Sequence, residues 1–247
     1  MIFDLHTHTS FSDGVNTPEE MILGAIGLGL DTVGISDHSY TSFDLECCMK
    51  AEDISVYKAE LARLKEKYAG KIRVLCGIEQ DYYSDLPAEG YDYIIGSVHY
   101  LKLEGGCFAV DDTEEIFVSM AKTYFGGDYI ALAEEYFKTV SDVVAKTNAD
   151  IIGHFDLVTR FNSAGYIDEA DPRYVAAWKA AVDRLIPYGK PFEINVGGIN
   201  RGYKQQPYPS PEMIDYIKSK GGKLILSSDA HSAKDICRNF KKYEHLL

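Results

Sequence analysis

Two histidines, His6 and His8, stand at i, i+2 directly behind the apolar run Ile2–Leu5, and Asp13-Gly14 follows in the next turn. At strand spacing both imidazoles fall on one face. That geometry suits chelation of one metal ion by neutral ring nitrogens, and Asp13 can reach back as an oxygen ligand. Alone, the pair could equally be two surface histidines. The rest of the histidines decide between these readings. His38 sits in Ser36-Asp37-His38, His99 follows Ile94-Ile95-Gly96-Ser97-Val98, His154 follows Ile151-Ile152-Gly153, and His231 closes Ser227-Ser228-Asp229-Ala230-His231. Glu79 follows Val74-Leu75-Cys76-Gly77-Ile78. Six of the seven histidines thus lie at or just beyond an apolar run, and only His245, in the tail, does not.

The elements needed to position these residues are short strands alternating with helices. Strands are predicted near 2–5, 32–35, 72–78, 93–98, 151–153, 192–195 and 223–226. Several are apolar at consecutive positions, as expected of parallel strands covered on both faces. Thr17-Pro18-Glu19-Glu20 is a helix start, with Thr17 as N-cap and Pro18 at the first helical position. Helical spacing continues over 51–68, 113–125, 129–147, 173–188 and 211–220, and 100–110 reads as a small hairpin. Seven such strands predict a closed or nearly closed barrel within one domain spanning residues 1–247. In such a barrel the C-terminal strand ends converge on one mouth, where chemistry is placed. Nine candidate ligands gather there: His6, His8, Asp13, His38, Glu79, His99, His154, Asp229 and His231. One ion needs about four to six, so two or three are implied. Imidazoles mixed with carboxylates, without thiolates, point to Zn²⁺, Mn²⁺ or Fe²⁺, and Glu79 can bridge neighbouring ions.

Composition narrows the possible partners. The net charge of −13 over 247 residues argues against a nucleic-acid surface. It leaves room for a small phosphorylated substrate bound by a few well-placed arginines. Five cysteines without a C-x-x-C pair indicate neither a disulfide framework nor a thiolate zinc site. No apolar run reaches membrane-spanning length and no signal-peptide pattern opens the chain, so a cytoplasmic protein is expected.

The ordered set H-x-H-x-x-x-x-D-G, S-D-H, a strand-end glutamate, G-S-V-H, G-H-x-D and S-D-A-H resembles the polymerase-and-histidinol-phosphatase (PHP) family from Phe3 to His231. The resemblance implies a distorted seven-stranded (β/α)7 TIM-like barrel with a three-metal cluster. It assigns His6, His8, Glu79 and Asp229 to one ion. A second ion shares Glu79 and adds His99 and His154, and the third takes Asp13, His38 and His231. Some relatives carry histidine where Asp13 stands. Arg160 and Arg201 lie in loops after the fifth and sixth strands and present guanidinium forks suited to phosphate oxygens. G-H-F-D-L-V-T-R-F and E-I-N-x-G-x-x-x-R-G-Y resemble the stand-alone histidinol-phosphate phosphatases of the family more than its polymerase-associated members. A common form of the second motif reads N-T-S-G-L-R; here Asn200 takes the arginine's place and Arg201 comes one residue later. The implied reaction is hydrolysis of L-histidinol phosphate, with a nucleotide or a nucleic-acid 3′ end as the alternative substrate. Glu79, Asp229 and His231 are expected in catalytic roles, the last two as candidate proton sources for the leaving alkoxide. Gly197-Gly198 is expected to let backbone approach a ligand, and Tyr83, Tyr100, Tyr203 and Tyr208 are candidates to line a pocket.

Overall fold

Parallel strands need helical crossovers, and the chain supplies them in order. A computed structural model describes residues 2–247. Its main sheet has the order β1 (Phe3–Asp4), β2 (Thr32–Ile35), β3 (Arg73–Asp81), β4 (Tyr93–Ser97), β7 (Ile151–Ile152), β8 (Phe192–Asn195) and β9 (Leu224–Ser227), all parallel. β5 (Tyr100–Leu103) and β6 (Gly106–Ala109) form the expected antiparallel hairpin beside the mouth. The ring is tied beyond β1 and β9 by a parallel bridge between Thr7 and Ala230. There the His8 N–H donates to Ala230 O at 2.8 Å and the Ala230 N–H to His6 O at 3.1 Å. The seam of the barrel is therefore made by the same segments that carry His6, His8, Asp229 and His231.

Helix α1 (Pro18–Gly27) starts as its sequence dictates. The Glu20 N–H donates to Thr17 Oγ1 at 3.3 Å and the Thr17 N–H to Glu20 Oε2 at 2.8 Å, a reciprocal capping box. Helix α2 (Ile54–Lys67) packs with α1 over the first strands, burying Met21, Ile22, Tyr57, Leu61 and Leu64. Helices α3 (Glu114–Phe125), α4 (Tyr129–Val140), α6 (Pro172–Leu185) and α8 (Pro211–Ser219) cover the opposite side around Phe137, Phe155 and Trp178. The long helix expected over 129–147 is broken at Ser141–Asp142, and α5 (Val143–Thr147) completes it. The barrel interior is thin: Tyr93, Ile95 and Ile151, with Leu5, Leu75 and Ile225 against them. Tyr93 lies across β2 and β3, where a Cβ on Gly34 or Gly77 would collide with its ring, and its hydroxyl donates to Leu5 O at 2.5 Å.

Three strands differ from expectation in ways that matter for the mouth. β3 runs two residues past Glu79, so Glu79 and Asp81 share one face at strand period. β1 and β7 are only two residues long, because the chain leaves the ladder early to carry His6, His8 and His154 inward.

Candidate metal centre

All nine sequence-selected ligands meet at the C-terminal mouth. Glu79, 1% exposed, is the hub. Its Oε1 lies 2.8 Å from His154 Nε2 and 3.4 Å from His99 Nε2, and accepts from Ser97 Oγ at 2.7 Å. Its Oε2 lies 2.9 Å from His38 Nδ1, 3.2 Å from His6 Nε2 and 3.5 Å from His8 Nε2. Asp229 Oδ1 stands 3.3 Å from His8 Nε2 and 3.8 Å from His6 Nε2. On the outer side, Asp13 Oδ2 is 2.9 Å from His231 Nε2, and Asp13 Oδ1 is 3.7 Å from both His38 Nε2 and His8 Nδ1.

Ligand atoms converge in three overlapping groups: His6, His8 and Glu79; His38, Glu79 and His99; and His8, Asp13, His38 and His231. The first holds three of the four residues implied by the family resemblance, without Asp229, and the third holds its implied three with His8 added. In the second, His38 stands where His154 was expected, although His154 touches the same Glu79 oxygen as His99. Asp229 is set by backbone as much as by side chain. It takes a left-handed φ of 50°, and a Cβ on Gly197 would collide with its side chain. Gly197 and Gly198 thus make room for Asp229 and Tyr208 rather than for a ligand.

The charges in this cluster act strongly on one another. Burial pushes His8 down to about 3, and the His231 and His38 imidazoles add to the effect. Burial also pulls His38 down, but Glu79 and Asp13 outweigh it and leave His38 up at about 9. Glu79 is held well below the carboxylate range: burial raises it, and His6, His38 and His99 overcome that. Among the described residues, His6 Nε2, both ring nitrogens of His8 and Glu79 Oε2 are buried without a hydrogen-bond partner. Unpartnered buried polar atoms are costly, and here they face one another. Divalent cations among them would satisfy all four, so the donor set fits a polynuclear metal site.

A cleft of about 390 Å³ opens above the cluster, and its walls include Tyr100, Asp111, Arg160, Arg201 and Tyr203. Arg160 reaches it from the loop after β7, its guanidinium 4.2 Å from the Tyr203 ring centroid and 3.8 Å from Asp111 Oδ2. Arg201 is held against the cluster itself, donating to Asp229 Oδ2 at 3.0 Å and lying 2.9 Å from His231 Nδ1. Of the four tyrosines expected at a pocket, Tyr100 and Tyr203 line the cleft. Tyr208 is packed in the core at 2% exposure, and Tyr83 lies outside the lining.

The sequence reading passed over the carboxylates behind the ligands. Asp81 accepts from the His99 N–H at 3.0 Å. Glu193 faces His6 Nδ1 at 2.8 Å. Asp37 accepts from the Thr9 N–H and the Ser12 hydroxyl at 2.7 and 2.6 Å and so pins the turn bearing Asp13. Each had a signal: a charged residue inside an apolar strand, or next to a ligand, needs a buried partner.

A seven-stranded parallel barrel whose mouth gathers histidines and carboxylates around a shared glutamate defines a metal-dependent hydrolase class. The chain matches the PHP domain over residues 4–197 and belongs to that family. It is similar to a protein of Deinococcus radiodurans named probable histidinol-phosphatase, 29% identical and covering 94% of this chain and 87% of the relative. It shares its fold with a candidate histidinol phosphatase of Listeria monocytogenes, at TM-score 0.84, 22% identity, and 98% and 99% coverage. It shares it also with the histidinol phosphate phosphatase of Lactococcus lactis solved with Zn, L-histidinol and phosphate, at TM-score 0.75, 24% identity, and 99% and 92% coverage.

Proposed function

We propose that this chain is a metal-dependent phosphomonoesterase that hydrolyses L-histidinol phosphate to L-histidinol and inorganic phosphate. The carrying observation is Glu79, whose two oxygens face different imidazoles, with the cluster's unpartnered atoms around one of them. The histidinol-phosphatase name of the Deinococcus relative, and the ligands of the Lactococcus structure, support the choice of substrate.

In this reading His6, His8, Glu79 and Asp229 hold one divalent ion, Glu79, His99 and His154 a second, and Asp13, His38 and His231 a third, each Zn²⁺, Mn²⁺ or Fe²⁺. The chemistry such ions supply when bound is Lewis-acid polarisation of the phosphoryl group and acidification of water. The chain's own residues do the rest. Arg160 presents its guanidinium to the phosphate from the cleft wall, stacked 4.2 Å from the Tyr203 ring centroid. Arg201 neutralises charge beside the cluster while orienting Asp229 and His231. Those two residues line the cleft, and either would take the proton lost by the attacking water and pass it to the departing alkoxide. The acidic surface disfavours long nucleic acids. Among the described residues no helix is long and apolar enough to cross a membrane, and the five cysteines are free thiols; both are compatible with a cytoplasmic enzyme.

The test is phosphate release by protein reconstituted with Zn²⁺, Mn²⁺ or Fe²⁺, assayed on histidinol phosphate, sugar phosphates, nucleotides and single-stranded DNA. Histidinol phosphate should give the highest kcat/KM. Activity confined to nucleotides or DNA would overturn the substrate and leave the metal centre standing.

A further inference from the structure

Strand β8 buries a carboxylate between two apolar residues. Glu193 lies between Phe192 and Ile194 and is 1% exposed. At strand period it shares the mouth-facing side with Asn195. An ionised carboxylate in such a place is tolerated only with partners for both oxygens, and Glu193 has them in two directions. Oε1 stands 2.8 Å from His6 Nδ1, while Oε2 accepts from the His154 N–H at 3.1 Å and from Asn195 Nδ2 at 3.3 Å.

Each contact controls a different ligand. A carboxylate can only accept, so Nδ1 of His6 is the donor in this contact, and a neutral ring then carries its lone pair on Nε2. That nitrogen is one of the unpartnered buried atoms and lies 3.2 Å from Glu79 Oε2. The second contact replaces a missing stretch of ladder. The β7–β8 register is the single pair Ile152 and Phe192, and two residues later the Glu193 carboxylate takes up the His154 N–H. It thereby places the imidazole whose Nε2 lies 2.8 Å from Glu79 Oε1. One side chain therefore sets the ligands that meet opposite oxygens of the shared glutamate.

We propose that Glu193 is a positioning residue that couples the two buried cation sites, holding His6 by its ring and His154 by its backbone so that the sites fill and empty together. This rests on the metal-centre reading above. Asp81 provides the contrast: it accepts from the His99 N–H at 3.0 Å and faces His99 Nδ1 at 3.2 Å, so among the ligand imidazoles it buttresses one.

The experiment compares wild type, Glu193→Gln and Asp81→Asn in chelator-buffered Zn²⁺, with bound metal read by elemental analysis and folding by thermal melt. Glutamine is nearly isosteric, but its amide cannot accept from both His6 and His154. In Glu193→Gln both buried equivalents should move together to about 10–100-fold higher free Zn²⁺, with the fold retained. Asp81→Asn should move one equivalent only. A wild-type isotherm for Glu193→Gln, loss of a single equivalent, or a joint shift in Asp81→Asn would each overturn the coupling. Wild-type protein that takes up no Zn²⁺ would overturn the metal centre instead. Should Glu193→Gln not fold, Glu193→Asp replaces it: one methylene shorter, it reaches His6 or His154 but not both, and a wild-type isotherm counts against the proposal in the same way.

Discussion

The two halves of the cluster are built differently. On the inner half, His6, His8, Glu79 and His154 are at most 2% exposed. There Glu193, Asp81 and Ser97 hold His6, His99 and Glu79 from behind. On the outer half, the side chains of Asp13, His38 and His231 are 28%, 19% and 21% exposed. Their support is a turn pinned by Asp37 and the guanidinium of Arg201. Ligands fixed by buried partners lose little entropy on binding a cation and shed little water. Ligands on a solvated turn lose more and exchange more readily. On the proposed assignment, the contrast would set a retained inner pair of cation sites against an exchangeable outer one.

The largest expected effect breaks the inner half. Glu79→Ala removes the carboxylate that His6, His8, His38, His99 and His154 share, and losing one partner of such a buried set costs about 3–5 kcal/mol. Phosphate release should fall roughly 1,000-fold, and elemental analysis should find both inner equivalents missing. Next comes the outer half. Asp13→Ala should lower kcat about 100-fold, as removal of one electrostatic contributor at a reacting centre does. It should remove one metal equivalent and leave the inner pair in place. Equal loss of all equivalents would erase the distinction between the halves. The smallest effect lies beyond both. Arg160→Ala should raise KM about 10- to 100-fold, the worth of a charged hydrogen bond, at unchanged metal content. An unchanged KM would remove Arg160 from the phosphate site.

Much of this site was legible in the chain because parallel barrels send strand ends to one mouth. Six histidines at or just beyond apolar runs could be placed together from the sequence. The helix start at Thr17-Pro18 was legible for a similar reason, since it depends on consecutive residues. Arg201 shows where such reading stops. Its loop was foreseen, but its engagement with Asp229 and His231 follows from how the β8 loop packs on the segment beyond β9. Gly197 and Gly198 were read as space for a ligand, and the space went to Asp229 and Tyr208. Glu193 stood in plain view within a recognised motif, yet its partners are 187 and 39 residues away in the chain.

By itself the sequence determined which residue types face the mouth, since strand alternation and βα order depend on near neighbours. Hence His6-x-His8, Glu79, His99, His154 and Asp229-x-His231 could be chosen as ligands. Tertiary structure alone decided how they are shared. Closure at Thr7 and Ala230 brings the first and last segments together, and the packing of Tyr93 against Gly34 and Gly77 fills the barrel beneath them. Which imidazole meets which oxygen of Glu79, and which are braced by Glu193 or Asp81, depends on ångström-scale placement of distant strands, and no local pattern encodes it.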